Sequence, residues 1–290
     1  METTSQTIDV YSIITDRIIA QLEKSVVPWR KPWAESGPPT NFLTKRPYHG
    51  INALLLNSIE YEIQSYLSWK QLKAIGGSVL KGEKGHVVVF WKRIPKARTK
   101  ETDPQKYTSL LRYYKVFNIS QCSDIPDHLM PTIESQTYSP ISTCDEIIER
   151  MPLCPVIKHS KQRAFYDPQK DYINMPKQRS FADIESYYGT MFHELIHSTG
   201  HESRLNRKEM VGTVELGSES YSIEELTAEI GACFLSSIAG ICTLEIENSV
   251  AYINHWLEVL KKNKKLIVYA SGQAQRATDF ILNKQYAAEE

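Results

Sequence analysis

Residues 193–197 read His-Glu-Leu-Ile-His, an H-E-x-x-H segment. Two histidines four positions apart lie on one face of a helix, about one turn from each other, so both imidazoles can bind the same metal ion. The glutamate between them can accept a proton from a metal-bound water, whose pKa such an ion lowers to roughly 7. Because the neighbouring residues are mostly apolar, the helix is predicted to be half-buried, where an unpaired carboxylate would be costly. The segment therefore predicts that His193 and His197 bind a metal and that Glu194 is a catalytic base.

A catalytic zinc site needs a third protein ligand, and the sequence offers three candidates. His201 follows Gly200, which is predicted to end the helix, so His201 is expected to lie in a turn rather than at the metal. Glu225 and Glu229 lie at positions i and i+4 of a second predicted helix, where two like charges repel unless a cation lies between them. Small residues on that helix allow it to pack closely on the first one. Glu224 is expected to belong to a solvated acidic face.

An H-E-x-x-H segment followed some tens of residues later by two acids four positions apart resembles the gluzincin class of zinc peptidases. The resemblance implies that Glu225 is the third ligand and that Glu229 orients a ligand histidine from outside the coordination sphere. The chain departs from the pattern because position 229 is Glu rather than Asp or Asn. A longer acid can itself reach a metal, so Glu225 is favoured as the ligand and Glu229 remains the alternative. The expected ion is Zn²⁺ or another divalent metal such as Mn²⁺.

The composition indicates an ordinary globular chain of 290 residues, long enough for two domains. No stretch approaches the length of apolar sequence that spans a membrane, so no membrane partner is expected. The polar N-terminus lacks a secretory signal, and the five cysteines include no C-x-x-C pair. These features favour a cytoplasmic location with free thiols.

The charge is unevenly distributed along the chain. Residues 1–130 contain 18 Lys and Arg against 12 Asp and Glu, a net charge of +6, whereas residues 131–290 contain 16 against 22, a net charge of −6. The metal segment lies in the acidic half. We predict a DNA-binding domain over residues 1–128 and a metal-binding domain over residues 129–290, joined by a proline-containing linker. A basic half of this kind indicates a nucleic-acid partner.

Aromatic residues alternate with Lys and Arg in the basic half, which is what single-stranded nucleic acid requires. Rings stack on exposed bases while cations follow the phosphates, so binding would be sequence-independent and sensitive to salt. The ordinary alternative is that the rings are core residues and the lysines are solvated surface. The candidate DNA-binding residues are Trp29, Arg30, Lys31, Trp33, Arg46, Tyr48, Asn52, Trp69, Lys70, Lys81, Lys84, Trp91, Lys92, Tyr113 and Tyr114.

The order and spacing of several short motifs resemble the N-terminal domain of ArdC-type antirestriction proteins, which also occurs on plasmid primases. These motifs are W-x-K-P-W from Trp29, Y-x-G-I-N from Tyr48, K-G-E-K-G from Lys81, F-W at Phe90 and Y-Y-x-V-F-N from Tyr113. The segments from His193 to His201 and from Glu224 to Glu229 resemble the second domain of the same family. The resemblance covers nearly the whole chain.

The resemblance implies an α+β protein with a small N-terminal domain that binds single-stranded DNA and contains a β-hairpin sheet. It implies a second, zincin-like metallopeptidase domain. It also implies a role in protecting incoming mobile-element DNA, such as a plasmid transferred by conjugation, from host restriction. A host restriction component or another protein is the possible protein partner. Two alternatives stay open: a DNA-binding protection protein whose metal is only structural, and a protease that acts on DNA-bound proteins.

Overall fold

The computed structural model describes residues 9–30, 37–59, 61–96, 106–130, 140–208, 218–241 and 250–284. These residues form helices and three β-sheets, which confirms the predicted α+β class. The predicted linker over residues 119–140 is wrong in its first part, because residues 122–123 form a strand that pairs with residues 78–79. Residues 131–139 lie outside the described ranges, and the domain boundary at 128/129 stays a prediction. No helix in the described part of the chain combines the length and the apolar character needed to cross a membrane.

In the described residues the N-terminal unit contains three α-helices and six strands. The helices are α1 (Val10–Leu22), α2 (Ile51–Asn57) and α3 (Trp69–Ala74). The strands are β1 (Thr40–Asn41), β2 (Ser65–Ser68), β3 (Ser78–Val79), β4 (His86–Pro95), β5 (Tyr107–Asn118) and β6 (Cys122–Ser123). Polar caps fix the helix starts: Asp9 accepts a hydrogen bond from the backbone of Tyr11, and Ser68 forms a capping box with Gln71.

The main sheet of this unit has the strand order β1-β2-β5-β4, and β3 pairs separately with β6. Strands β4 and β5 form a long antiparallel ribbon in which His86 pairs with Val116 at one end and Pro95 with Tyr107 at the other. Both strands keep their pairing through the charged residues at this far end. The ribbon extends beyond the body of the sheet because β1 and β2 are much shorter than β4 and β5.

Over the part that the structure describes, the C-terminal unit has a three-stranded sheet and five α-helices. The strands are β7 (Val156–Lys158), β8 (Phe165–Asp167) and β9 (Tyr172–Asn174), in the order β7-β9-β8. The helices are α4 (Pro140–Glu149), α5 (Ile184–Ser198), α6 (Glu219–Ala239), α7 (Val250–Lys262) and α8 (Leu266–Ile281). Strands β8 and β9 pair antiparallel as a hairpin.

Helices α5 and α6 pack closely because a glycine lies at their contact. A Cβ atom added to Gly231 would lie 2.6 Å from the side chain of Ile196. This is the close approach that the small residues of the second predicted helix indicated. Both helices therefore bring their polar residues to one site, while Leu195, Ile196 and Ala228 lie in the same apolar core.

A second apolar core joins the two units. From the N-terminal unit it contains α1, Trp29 and α2, and from the C-terminal unit it contains residues of α6, α7 and α8. The ring of Trp29 packs edge-on against Trp256 at 6.0 Å between centroids. The backbone N–H of Gly50, a residue with a φ of 53° that favours glycine, donates to Gln275 on α8 at 2.9 Å. The two units thus share a buried interior.

Candidate functional site

Three side chains from α5 and α6 meet at one point. Asp183 caps the start of α5, which presents His193 and His197 one turn apart. Ser218 caps the start of α6, which places Glu225 opposite them. Among the described residues these three form the group of side chains that can hold a metal ion.

The distances between the three side chains fit a single divalent ion. The Nε2 atoms of the two histidines lie 3.0 Å apart, and each lies 3.6 Å from an oxygen of Glu225. Ligand atoms bound tetrahedrally at metal distances of about 2.0–2.2 Å lie about 3.3–3.6 Å from each other. Two imidazole nitrogens and a carboxylate are also a donor set that suits Zn²⁺ and other divalent ions. The residues present therefore fit the implied metal.

A buried ion pair supports His197 from the side away from the cluster. The Nδ1 atom of His197 lies 3.0 Å from Glu224, whose carboxylate accepts two hydrogen bonds from Arg207 at 2.9 and 2.5 Å. Glu224 is 4% exposed and Arg207 is 3% exposed. The expectation that Glu224 belongs to a solvated face was therefore wrong, because this acid is held between a ligand histidine and a buried guanidinium. The arrangement orients the ring so that Nε2 faces the cluster.

Arg207 also fixes the segment that follows α5. Its guanidinium donates to the Thr199 hydroxyl at 2.5 Å and to the backbone carbonyl of Ile196 at 2.8 Å. In the same segment Arg204 donates to the carbonyl of Ser198 at 2.7 Å and pairs with Asp171 on the β8–β9 turn. The two arginines thus attach this segment to different neighbours. Of the two, Arg207 contacts Glu224, the acid that orients His197, whereas Arg204 pairs with Asp171. Neither arginine was predicted from the sequence as a site residue.

The electrostatics of the cluster follow from burial and from the carboxylates around it. Burial by itself would lower the pKa of His197, but the hydrogen bond and charge of Glu224, with the charges of Glu225 and Glu194, raise it to about 9. Burial would raise the pKa of Glu224, but hydrogen bonds from His197 and Arg207 hold it below its usual range. Burial would also raise the pKa of Glu225, but the hydrogen bond of His193 and the charges of both histidines hold it below its usual value, so both acids are kept anionic, as metal binding requires.

The other predicted site residues lie around the cluster. Glu194, 8% exposed, is near enough for its charge to act on His197. Glu229 lies one turn beyond Glu225 on α6 and is not a member of the metal group found in the described ranges. His201 lies in a turn, where its Nδ1 accepts a hydrogen bond from the backbone of Ser203 at 3.2 Å, as predicted.

We expect metal affinity to depend on pH through His197. The ring is protonated in the metal-free protein up to a pKa of about 9, above its usual value of 6.5, so a metal ion must displace that proton. Apparent affinity should rise about tenfold per pH unit between pH 6.5 and 9 and level off above it. The same proton stabilises the metal-free fold below pH 6.5, and this contribution is lost as pH rises through 9. Competition titrations with a chromophoric chelator across this window measure the slope.

The control for this pH dependence is Glu224→Gln. The substitution removes the group that contributes most to raising the pKa of His197, so the levelling point should move to lower pH. An affinity that levels off at the same pH in both proteins would show that Glu224 does not set this proton's affinity.

The structure corrects three of the candidate DNA-binding residues. Trp29 is 3% exposed in the shared core, and its indole N–H lies 3.3 Å from the Tyr252 hydroxyl, so no base can stack on it. Asn52 uses both ends of its amide on the backbone of Val89, at 2.8 Å each. Tyr48 is half-buried and packs edge-on against Tyr66. These residues build the fold rather than a surface for nucleic acid.

The remaining candidates fall into two groups. Lys31, Trp33 and the side chain of Arg30 lie outside the described residues. The others are exposed on the N-terminal unit. They are Arg46 after β1, Trp69 and Lys70 on α3, Lys81 and Lys84 in the turn before β4, and Trp91, Lys92, Tyr113 and Tyr114 on the ribbon.

The ribbon brings exposed rings and cations together on both of its faces. The register pairs Phe90 with Arg112 and places Tyr114 and Lys92 on the same face. Phe90 is 43% exposed and contacts Tyr114 at 5.8 Å between ring centroids. Trp91, 54% exposed, lies on the opposite face. Phe90 and Arg112 were missing from the candidate list, although the alternation of side chains along two paired strands could have identified them.

Comparison with known protein families matches both halves of the chain. Residues 8–117 match the N-terminal domain of the antirestriction factor ArdC, and residues 144–273 match a zincin-like metallopeptidase family. The crystal structure of the antirestriction ArdC protein from plasmid R388 in its metal-free form is similar with a TM-score of 0.75 and 34% identity, over 94% of this chain and 96% of that one. The Mn(II)-bound structure of the same protein has the same TM-score and identity, over 95% and 97%.

Several curated proteins are also similar to the chain. The Sinorhizobium fredii protein y4eC is 30% identical over 97% of this chain and 94% of its own length. Two DNA primases TraC of Escherichia coli are 33% and 32% identical over 93% and 94% of this chain. The chain spans only 26% and 20% of the length of these primases.

Proposed function

Because the chain belongs to the ArdC antirestriction family, we propose that it binds single-stranded DNA through its N-terminal unit and holds a divalent metal in a peptidase site of its C-terminal unit. Its role would be to protect incoming mobile-element DNA from host restriction. The observation that carries the enzymatic part is the meeting of two histidine nitrogens and the Glu225 carboxylate at the spacing of metal ligands.

In this proposal His193, His197 and Glu225 hold the ion. A divalent ion bound there supplies Lewis acidity, which activates water and polarises a peptide carbonyl. Glu194 accepts the proton of the attacking water and passes it to the leaving amine. The Mn(II)-bound structure of the R388 protein supports a divalent metal, and the donor set accommodates Zn²⁺ or Mn²⁺.

Tyr221 is a further candidate for contact with the substrate. It lies in the first turn of α6, close enough to Glu225 for that carboxylate to raise the pKa of the phenol after burial has done so. A phenol that stays protonated can donate a hydrogen bond to the oxyanion that forms during hydrolysis.

The ribbon is the proposed surface for single-stranded DNA. One face of the ribbon carries the exposed rings of Phe90 and Tyr114 with Lys92 and Arg112, and the other face carries the exposed rings of Trp91 and Tyr113. Rings in this setting can stack on bases of any identity, and the cations can contact phosphates. Half-exposed aromatic side chains on both faces of a ribbon are otherwise costly, which favours a ligand that covers them.

The shared core favours one of the alternatives, a protease that acts on DNA-bound proteins. Val89 and Leu111 of the ribbon belong to the same apolar core as Leu226 and Ile230 of the metal helix α6. A strand of DNA on the ribbon and the metal ligand Glu225 are therefore attached to one packed body. This alternative predicts that single-stranded DNA increases the rate of cleavage.

We expect the double substitution Phe90→Ala and Trp91→Ala to weaken binding of a labelled oligothymidylate by at least about 30-fold at low salt. Base stacking contributes roughly 1–3 kcal/mol per ring, and these two rings lie on the exposed part of the ribbon. Fluorescence anisotropy measures the affinity. The control is Leu153→Ala, an apolar side chain 64% exposed on the C-terminal unit. Equal affinities of the wild type and the ribbon variant would refute the ribbon as the binding surface.

A further inference from the structure

A short basic segment interrupts the acidic half of the chain. Residues 156–180 contain six Lys and Arg against two Asp, a net charge of +4. The rest of residues 131–290 contains ten Lys and Arg against twenty Asp and Glu, a net charge of −10. A cationic surface within so negative a unit attracts polyanions only if its cations are grouped and free of local acids.

The loop that carries this charge, residues 158–163, is fixed in place by a buried amide. Asn174 is fully buried at the end of the central strand β9. Its Oδ1 accepts hydrogen bonds from the backbone N–H groups of Ser160 and Lys161, both at 3.1 Å, and from the Ser160 hydroxyl at 2.8 Å. Its Nδ2 donates to the carbonyls of Lys161 and Arg163 at 3.1 and 2.7 Å. An exposed loop is thereby ordered before any ligand arrives, which lowers the entropic cost of binding.

Three exposed cations on this loop lie over aromatic rings. Lys158 lies 4.2 Å from the ring centroid of Tyr172, and Lys161 and Arg163 lie 5.0 and 5.1 Å from that of Phe165. The two rings contact each other edge-on at 5.8 Å. Their negative faces position the charges without neutralising them, because a ring, unlike a carboxylate, has no net charge.

The three loop cations differ in their partners from three lysines near the end of α7. Within the described ranges, Lys158, Lys161 and Arg163 have no carboxylate partner. In the basic run from Lys261 to Lys265, three of the four lysines show the opposite behaviour, whereas Lys265 lies over the ring of Tyr11. There Lys261 pairs with Glu23, Lys262 with Glu258 and Lys264 with Asp16. The positive charges of the 158–163 loop are therefore available to a ligand, whereas those of Lys261, Lys262 and Lys264 are already paired with carboxylates of the protein.

We infer that the 158–163 loop is a second contact for single-stranded DNA, which binds the phosphate backbone on the metal-bearing unit. The inference rests on the proposed DNA-binding function and extends it from the ribbon to the other unit. Phosphates fit the site because ordered cations without carboxylate partners release counterions on binding a polyanion. An exposed guanidinium that lies over a ring also offers a flat surface to a base. The loop would thereby hold part of a bound strand on the unit that carries the metal cluster.

The test compares two triple variants of the full chain with the same change in charge. The loop variant is Lys158→Gln, Lys161→Gln and Arg163→Gln, and the control is Lys261→Gln, Lys262→Gln and Lys264→Gln. Binding of a labelled oligothymidylate is measured over a series of salt concentrations. For the loop variant we expect affinity to fall about tenfold or more at low salt, and the slope of log affinity against log salt to become shallower by about 2, at about 0.7 per phosphate contact. The control should keep the wild-type slope.

The results separate this inference from the function on which it rests. A slope for the loop variant equal to that of the control would overturn the inference while leaving DNA binding by the ribbon in place. A wild-type protein that does not bind the oligonucleotide at low salt would overturn the proposed function and the inference with it. If polyglutamate displaces the oligonucleotide from the wild type when the two are present at equal concentration, the inference is overturned, and the loop would be assigned to the binding of acidic protein segments. Thermal unfolding of the wild type and both triple variants should give similar midpoint temperatures, which shows that folded chains are being compared.

Discussion

Replacing Glu194 with Gln is expected to lower peptide hydrolysis by about two to four orders of magnitude while one equivalent of metal remains bound. The magnitude is that of losing a positioned general base. Metal binding should persist because the three ligand side chains are His193, His197 and Glu225, and Glu194 is not among them. Gln keeps the size of Glu at a site that is only 8% exposed, so the fold should be retained. Hydrolysis of unfolded casein and metal analysis of the purified protein give the two readouts.

The matched control for Glu194 is Glu202→Gln, which removes an exposed acid from the segment just after α5. Hydrolysis that continues at the wild-type rate in the Glu194 variant would show that another group accepts the proton. A protection assay on transferred DNA then separates the functional alternatives. Protection that survives loss of hydrolysis would assign the metal a structural role. Hydrolysis that single-stranded DNA accelerates would favour a protease acting on DNA-bound proteins.

The metal ligands could be predicted from the sequence because helical periodicity fixes which side chains share a face. His193 and His197 are one turn apart, and Glu225 was favoured among the candidates for the third position. Their support was harder to predict. Glu224 lies next to Glu225, yet neighbouring positions on a helix are about 100° apart, so one carboxylate faces Nε2 and the other faces Nδ1. The sequence shows two adjacent acids, and only the packing of α5 on α6 separates their roles.

The DNA-binding residues show where reasoning from sequence ends. Trp29 stands among basic and proline residues, which is typical of an exposed stacking residue, but the shared core buries it against Trp256. That core is made by segments more than two hundred residues apart, and no local pattern reports such contacts. On the ribbon, in contrast, Trp91 and Tyr113 are exposed, as a stacking role requires, although Val89 and Leu111 on the same face are buried in the core.

The second large effect is expected for Arg207→Met, which should weaken metal binding by about 10- to 100-fold and destabilise the protein by roughly 3–5 kcal/mol. The affinity change is that of losing the group that orients a ligand histidine, since Arg207 holds Glu224 and Glu224 holds His197. The stability change follows because the substitution leaves the buried carboxylate of Glu224 without its charged partner. Zn²⁺ competition titrations measure the affinity, and urea unfolding of the metal-free protein measures the stability.

Arg204→Met is the control that distinguishes orientation of the ligand from general loosening of the segment. Arg204 comes from the same segment and its side chain is only 2% exposed, but its charged partner is Asp171 on the β8–β9 turn. We expect a smaller loss of stability, because Asp171 is 33% exposed, and a change in metal affinity of less than about threefold, because the support of His197 remains intact. In a Glu224→Gln background, Arg207→Met should have little further effect on affinity, since Arg207 acts through that carboxylate. Equal losses of metal affinity in the two arginine variants would show that the segment, rather than the Arg207–Glu224 pair, positions His197.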